Sequence, residues 1–591
     1  MALFKLLPLA AALALAAGCS LPAVKASAPD PAPAQPASAV AEAAPAEQPD
    51  PVEEAHARAQ AALPKQPLTP EILFKFLVAE VAGQRGAVAL SQTTYLDLAQ
   101  QTKDPRIARR AAEVAMYARD QAGALEATRI WAASDPESPR ARQALAALLL
   151  GAGRFDEAEP LLRELLQQDR GNAYLHLSAL MGKPRDTEAA LRLVERLAAD
   201  APELPEARFA VAQAASAAGR FDAAIQALQE ADRLRPGWEP AALLRAQLHA
   251  KTSRAEALGF MREFLATYPA AREVRLAYAR TLVTANQFTE ARAEFVRLVN
   301  DYPGNPEVSL AAGLLSLQMG DYSLAQAYLD KTLEANPRDP DTVHYYLGQA
   351  AEQMKAFDRA LEHYGEVGAG AHLVPARARQ AALLARLGKR DQAQALLAAT
   401  RGENDAQNVR LIQAQAELLR EYKEHASAFE LLSSGLKRFP DAADLLYDRA
   451  MVAEKLGKLD VLETDLRRVI VLRPEDAQAY NALGYTLADR TDRIAEAVEL
   501  LDKALSLAPD DPFILDSVGW AQYRSGNLVR AQEYLERAYK ARPDPEIAAH
   551  LGEVLWVRGL HDAAGQVWRS SIKAHPQNEL LLETLQRFKQ P

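Results

Sequence analysis

Residues 511–543 read DPFILDSVGWAQYRSGNLVRAQEYLERAYKARP, and this stretch decides the fold of the chain. Apolar residues recur at helical spacing on both sides of a turn at Gly526, which predicts two helices joined as a hairpin. Residues 544–576, DPEIAAHLGEVLWVRGLHDAAGQVWRSSIKAHP, repeat the plan at an offset of 33 positions. The matching positions are Gly519 and Gly552, Gly526 and Gly559, Ala531 and Ala564, Leu535 and Trp568, and Pro543 and Pro576. Self-similarity at a fixed period predicts a solenoid.

The spacing within the unit has a physical reason. A small residue at Gly519 lets the two helices of a hairpin approach closely, and a large one at Leu535 or Trp568 fills the remaining space. Trp568 is therefore predicted to be a core residue. Pro543 cannot continue a helix, so it ends the second helix. This order of Leu-Gly, tyrosine, alanine, large apolar residue, alanine and proline resembles the tetratricopeptide repeat.

The same unit recurs along most of the chain. Turns of the type Gly-Arg-Phe-Asp-x-Ala begin at Gly153, Gly219, Asn286, Gly320 and Lys355, and each predicts a flexible first residue followed by an aromatic that fills the hairpin. The prolines expected to close second helices are Pro202, Pro236, Pro269, Pro303, Pro337, Pro440, Pro474, Pro509, Pro543 and Pro576. The first helix is expected within residues 71–86, with Leu73, Leu77 and Val81 on one face.

These signals predict an all-α superhelical solenoid of about fifteen tetratricopeptide-like hairpins with a C-terminal capping helix. The predicted organisation begins with a signal peptide at 1–18 and a lipidated cysteine with a disordered Ala/Pro-rich tether at 19–69. An N-terminal solenoid at 70–370 and a degenerate repeat region at 371–413 follow, in which Gly388 still aligns as a hairpin turn. The C-terminal repeats span 414–576 and the cap spans 577–591.

Composition narrows the class of function. The 591 residues carry 68 basic and 78 acidic side chains, a net charge of −10 that gives no support for nucleic-acid binding. The one cysteine, Cys19, excludes an internal disulfide and a thiolate zinc site.

Cys19 has an explanation of its own in the N-terminal sequence MALFKLLPLAAALALAAGCS. Lys5 is followed by an apolar run too short to span a bilayer, as in a signal peptide. The segment before Cys19 resembles a bacterial lipobox, although the expected leucine stands one place early, at Leu15. The alternative is a plain secretory signal with an unrelated cysteine. The resemblance implies cleavage before Cys19, acylation of that residue and, because Ser20 rather than aspartate follows, an outer-membrane lipoprotein on the periplasmic face.

The tether covers residues 20–67 and holds ten of the 35 prolines in 48 residues, with little apolar surface to bury. A short helix within residues 52–62 is possible.

No motif in the chain predicts catalysis. There is no His-Glu-x-x-His, Gly-x-Ser-x-Gly or Walker-type loop, and the ten histidines share no ligand spacing. His550 and His561 are interpreted as packing or surface residues. The chain is therefore expected not to be an enzyme, with no catalytic residue, cofactor or metal.

Resemblance to other such repeats implies that certain first-helix positions line a groove that binds proteins. Phe513, Trp520, Tyr523 and Trp556 would form an aromatic run suited to anchoring a partner, and the alternative is that they fill the core. Under the groove interpretation, truncating Trp520 weakens partner binding and leaves the fold intact. The predicted partner-binding residues are Tyr485, Phe513, Asp516, Trp520, Tyr523, Arg524 and Trp556, with Asn481, Glu553 and Tyr345 at equivalent positions.

The segment at residues 77–119 resembles a family of large proteobacterial repeat lipoproteins. The resemblance implies a non-catalytic adaptor that binds a periplasmic carboxyl-terminal processing protease and its substrates, among them cell-wall hydrolases. One alternative is an assembly factor for an outer-membrane or envelope machine, such as a pilus secretin or an exopolysaccharide exporter. Another is a non-catalytic regulator of peptidoglycan synthesis.

Overall fold

The computed structural model describes residue 64 and residues 67–168, 170–181 and 186–588. Within these residues the chain forms thirty-one α-helices and no strand, which confirms the all-α solenoid. Cys19, the signal peptide, nearly all of the tether and the possible helix at residues 52–62 lie outside the described residues.

Thirty of these helices follow one another as fifteen successive pairs, the predicted number, and the last stands alone. The helices before the middle of the chain are α1 Pro70–Gln84, α2 Val88–Thr102, α3 Pro105–Tyr117, α4 Gln121–Ser134, α5 Pro139–Gly151, α6 Phe155–Gln168, α7 Arg170–Met181, α8 Thr187–Ala198, α9 Pro205–Ala217, α10 Phe221–Leu234, α11 Glu239–Thr252, α12 Arg254–Thr267, α13 Arg272–Thr284, α14 Phe288–Asp301 and α15 Pro306–Gln318. The helices that follow are α16 Tyr322–Glu334, α17 Pro340–Gln353, α18 Phe357–Glu366, α19 Leu373–Arg386, α20 Arg390–Ala399, α21 Asp405–Glu421, α22 His425–Arg438, α23 Ala443–Lys455, α24 Leu459–Leu472, α25 Ala477–Arg490, α26 Ile494–Leu507, α27 Pro512–Arg524, α28 Leu528–Ala541, α29 Pro545–Val557, α30 His561–Ala574 and α31 Glu579–Arg587.

The first helices begin where the sequence supplies a cap followed by proline. In α27 the Asp511 carboxylate accepts hydrogen bonds from the backbone N–H groups of Phe513 at 2.9 Å and Ile514 at 3.2 Å. Pro512 occupies the first turn, where its missing N–H costs nothing. The same pairing of a capping side chain with proline starts α1, α3, α5, α17 and α29.

The turns between paired helices confirm the prediction of a flexible first residue. Gly153, Gly219 and Gly320 have φ values of +73°, +75° and +78°, and Asn286 and Lys355 reach +59° and +61°. The aromatic two residues later opens each second helix and is buried or half-buried against the hairpin. Gly388 also adopts φ +75°, so the degenerate region still contains a hairpin turn.

The close approach predicted at Gly519 and Gly552 is present. A Cβ atom added at Gly519 would lie 2.6 Å from Cγ of Leu535, and one at Gly552 would lie 2.0 Å from Nε1 of Trp568. Trp568 is fully buried, which confirms its prediction as a core residue. The small residue and the large one therefore interlock across each hairpin.

The described chain divides into two compact units between residues 315 and 316, and the two units are described separately. In each unit, most paired helices pack against one another and then against the next pair along the chain. The core is accordingly a series of local clusters, such as the one from Leu125 to Leu248 in the first unit and the one from Ala416 to Ala521 in the second. The boundaries predicted at residues 370 and 413 are not tested by this division and stay predictions.

The two ends of the described chain differ in how their apolar surface is covered. The predicted cap is present as α31, whose Leu581 is 0% exposed and joins Trp568 in one cluster. At the other end, α1 exposes Leu73, Leu77 and Val81 by 43%, 52% and 43%. The apolar face expected there exists, and about half of its side-chain surface is exposed.

Candidate protein-binding site

The candidate site lies in the second unit, where α25, α27, α29 and α31 pack in succession. Trp520 stands at its centre, on α27. Its indole Nε1 donates a hydrogen bond to Oδ1 of Asp489 on α25 at 3.2 Å. Its ring stacks on His550 of α29, with ring centroids 4.3 Å apart. Trp520 is 8% exposed, so it bridges three helices from a buried position.

His550 and Asp516 form a buried ion pair beside Trp520. Nδ1 of His550 lies 3.0 Å from both carboxylate oxygens of Asp516, and the two residues are 6% and 8% exposed. Burial by itself lowers the pKa of His550, but the Asp516 charge and hydrogen bond oppose it, with further help from Glu553 and Asp489. The pKa of His550 is raised as a result, because the neighbouring carboxylates favour the imidazolium over the neutral ring.

A second set of contacts extends the arrangement to the cap. Tyr523 on α27 donates its hydroxyl to Oε1 of Glu553 on α29 at 3.1 Å, and burial raises the pKa of this tyrosine to about 12. Arg587 at the end of α31 forms an ion pair with the same glutamate. Arg524 donates to the backbone carbonyl of Asp489 at 2.9 Å. We call Asp489, Asp516, Trp520, Tyr523, His550 and Glu553 the C-terminal network.

Tyr485 lies at the edge of this network. It is half-buried on α25, with its ring centroid 6.2 Å from that of His550. Burial raises the pKa of its hydroxyl above the usual value. Tyr485, Asp516, Trp520, Tyr523 and Arg524 therefore lie close together, and their place in a partner-binding groove stays a prediction.

Phe513 and Trp556 do not join them, which corrects the expectation of one aromatic run. Phe513 is 43% exposed, and the Arg542 guanidinium lies 5.1 Å from its ring centroid. Trp556 packs instead toward the cap, 5.9 Å from the ring centroids of both Trp568 and Phe588. Partner binding by these residues stays a prediction, but Trp520 is a buried bridge and Phe513 is the exposed aromatic.

Sequence reasoning did not assign the roles of Asp489 and His550. Asp489 stands where the repeat gains one residue, in a helix that continues to Arg490. His550 was interpreted as a packing or surface residue, and it is packed but also paired with Asp516. The 33-residue period gives no signal for this pair, because the position equivalent to Asp516 is Ala549 and His550 lies one residue beyond it.

Carboxylates continue along neighbouring first helices of the same unit. The Asp448 carboxylate on α23 accepts a hydrogen bond from Nε2 of Gln413 at 2.8 Å, and burial raises its pKa. Glu417 on α21 and Glu546 on α29 remain accessible to water, yet the surrounding protein removes enough solvent to raise their pKa as well. Acidic groups in such settings are stabilised by a nearby cation.

The described part of the chain lacks two other kinds of site. Residues 67–168, 170–181 and 186–588 contain no group of three His, Cys, Asp or Glu side chains arranged to hold a metal ion. His344 and His363 do meet, with 3.3 Å between their Nδ1 atoms, but without a third ligand. Across the same residues, every helix is either too short or too polar for a membrane span.

Comparison with known proteins agrees with this architecture. Tetratricopeptide repeat models match residues 115–183, 183–237, 250–315, 310–371, 447–512 and 519–579. The chain is 36% identical over 484 residues to a TPR repeat-containing protein of Pseudomonas aeruginosa, covering 81% of this chain and 82% of that protein. The chain therefore belongs to the tetratricopeptide repeat family.

Two further matches are more distant in sequence. A relative named cellulose synthase 2 operon protein C, from Komagataeibacter xylinus, is 26% identical over 284 residues, which is 48% of this chain and 20% of that protein. Among solved structures, a chain of the Cut9–Hcn1 hetero-tetramer of the APC/C is similar at 15% sequence identity and a TM-score of 0.30. The match covers 86% of this chain and 99% of that chain. A TM-score of this size adds nothing to the fold assignment.

Proposed function

We propose that the chain is a non-catalytic scaffold that is anchored by lipid at Cys19 to the periplasmic face of the outer membrane. It binds a carboxyl-terminal processing protease and presents substrates such as cell-wall hydrolases to it. Membership of the tetratricopeptide repeat family supports the general role in binding proteins. The anchor and the protease rest on the lipobox and on the resemblance of residues 77–119 described above.

The observation that carries the proposal of protein binding is the C-terminal network. Its side chains are held by partners on adjacent first helices before any ligand arrives. This mostly buried network fixes the first helices that present the neighbouring surface, and a surface on fixed helices loses less conformational entropy on binding. Phe513 provides an exposed aromatic beside this ordered region.

The charges of this surface suggest the chemistry of the partner. Asp448, Glu417 and Glu546 are carboxylates whose charged forms the surrounding protein disfavours. A lysine or arginine on the partner would compensate them, so the bound segment is proposed to be basic. Binding should then weaken as salt is raised, because rim charges are screened over about 8 Å at physiological ionic strength.

A second candidate is an assembly factor for an envelope machine, such as an exopolysaccharide exporter. The observation that favours it is the similarity to cellulose synthase 2 operon protein C. The two candidates share the scaffold and differ only in the partner.

Affinity capture from envelope extracts separates the candidates. The bait is the mature chain with Cys19→Ser, alone or with Phe513→Ala and Glu546→Gln. The matched control carries Val471→Ala and Val529→Ala, which remove exposed apolar side chains from the second helices α24 and α28. Recovery of a processing protease that the first variant loses and the control retains is the expected result.

Other results of the capture reject parts of the proposal. A secretin or exporter in the eluate favours the assembly role, and a cell-wall synthase favours the regulator of peptidoglycan synthesis. If the protease is recovered equally by both variants, it binds elsewhere on the chain.

A further inference from the structure

The first helix of the described chain presents an uncovered apolar surface. Leu73, Phe74, Leu77 and Val81 recur at helical spacing along α1 and are 43%, 67%, 52% and 43% exposed. We call these four residues the α1 face. The opposite side of the helix packs inward through Ala79 and Ala82, which are 0% and 6% exposed. Apolar residues on both sides are typical of a helix that is buried from two directions.

The other end of the chain shows how such a surface is covered. There the short helix α31 lies on the last hairpin, with Leu581 and Leu585 only 0% and 7% exposed. Its outward positions, such as Glu583 and Gln586, are exposed to water. Terminal repeats of a solenoid need this kind of polar cover, because the stacking surface otherwise meets solvent.

We propose that residues 52–63 of this chain, VEEAHARAQAAL, cover the α1 face. Val52, Ala55, Ala59, Ala62 and Leu63 share one side if this sequence is helical, and Glu54, Ala57, Arg58 and Ala61 share the other. The first side is apolar and mostly small. Small side chains on one helix accommodate the large Leu73, Phe74 and Leu77 side chains on the other.

The connection between the two segments has a suitable length. Six residues, 64–69, separate Leu63 from Pro70, which is within the usual range for antiparallel helices. Two prolines at 64 and 67 stop a helix from running straight through. Because the connection is short, the effective concentration of residues 52–63 at the α1 face is of millimolar order. A separate molecule must reach similar concentrations or bind more tightly to displace it.

The test uses two variants that differ only in which side of the segment they alter. Ala55→Asp with Ala59→Asp places charges on the apolar side, and Ala57→Asp with Ala61→Asp places the same charges on the other side. Both are made in the mature chain with Cys19→Ser and lie outside the hairpins, so the solenoid itself is unchanged. Hydrogen exchange of the α1 amides, dye binding to exposed apolar surface, and molar mass by light scattering are measured.

The parent protein is expected to be a monomer. In the first variant, hydrogen exchange of the α1 amides should be at least about tenfold faster, which corresponds to a loss of about 1.4 kcal/mol in the free energy of opening α1. Dye binding should rise in that variant, and the second variant should match the parent. The proposal is overturned if both variants match the parent or if both change α1 equally. It is also overturned if the parent is a dimer that Leu77→Asp dissociates, since the occupant is then a second copy.

Discussion

A methyl group at Gly552 would lie 2.0 Å from the Trp568 indole, so this position tests the tightness of the hairpin. We expect Gly552→Ala to destabilise the last hairpin by about 1–3 kcal/mol or more, because the fully buried Trp568 has nowhere to move. Gly259→Ala is the matched control, since Gly259 also lies within a helix but has no atom within 4 Å of the added carbon. The control should instead stabilise α12 by about 0.5–1 kcal/mol. Hydrogen exchange in the two hairpins measures both changes, and equal destabilisation would contradict the role of close packing.

His550 makes stability depend on pH through its pairing with Asp516. Its pKa in the folded chain is raised above the ordinary value, so the stability it contributes is fully present below about pH 6.5 and is lost as pH rises through the folded-state pKa. The groups facing it are Asp516 on α27, Asp489 and Tyr485 on α25, and Glu553 on its own helix. We expect His550→Gln to cost more stability at pH 6 than at pH 9, measured by local unfolding of α27 and α29. A penalty that grows toward pH 9 would show that the neutral imidazole is the stabilising form.

Truncation of Trp520 and truncation of Trp568 are expected to cost similar amounts of stability, although the sequence predicted a difference. Truncation of Trp568 to Ala should cost about 3–5 kcal/mol. The sequence predicted that Trp520→Ala would leave the fold intact, but its burial, its stack on His550 and its hydrogen bond to Asp489 correct that expectation. We expect a cost in the same range, with faster hydrogen exchange in both α25 and α29. If the free energy of opening obtained from hydrogen exchange stays within about 0.5 kcal/mol of the parent value, the contacts of Trp520 contribute little to stability.

At the scale of helices, the sequence predicted most of the fold because each boundary has a local cause. Asp511 with Pro512 starts α27, and Gly526 at φ +85° turns the chain. Pro543 lies two residues beyond the end of α28. None of these signals requires knowledge of a distant residue.

The candidate site could be predicted less well, because its contacts join different hairpins. Residue type and repeat position selected Trp520 and Asp516, but whether they face solvent or each other depends on the neighbouring helix. The bond from Trp520 to Asp489 depends on the residue added to α25, and the pairing of Asp516 depends on His550. Repeat position alone does not contain this information.

The capping helix offers a test within two adjacent residues. Leu581 is fully buried against the last hairpin, whereas Leu582 is 37% exposed. We expect Leu581→Ala to cost about 2–5 kcal/mol in the local stability of α30, because burial of its side chain is lost and a cavity remains. Leu582→Ala should change it by no more than about 0.5 kcal/mol. Similar losses at both positions would indicate that α31 acts through helix formation rather than through packing.

At the scale of the whole molecule, repetition explains how the described residues form a long series of helix pairs without one large core. Each hairpin buries its apolar side chains against its neighbours, so the local clusters are repeated along each unit. The number of hairpins was predictable from the period of the sequence. The division at residues 315 and 316 was not, because it falls inside α15 and no change of composition marks it.

Attachment to the outer membrane is the last prediction, and it is decided by two adjacent residues of the N-terminal sequence. If Cys19 is acylated, Cys19→Ser should remove the anchor and leave the signal peptide uncleaved, because the thiol that accepts the lipid is absent. Several acyl chains on one residue hold a protein far more firmly than a single chain. The parent protein, which keeps Cys19 and its lipid, should therefore stay with the membrane fraction through washing. Fractionation of the envelope with metabolic labelling by fatty acid measures both effects. Ser20→Asp supplies the control, since by the sorting analogy it keeps the lipid but retains the protein at the inner membrane. A Cys19→Ser chain of mature size that still fractionates with the outer membrane would show that Cys19 is not the anchor.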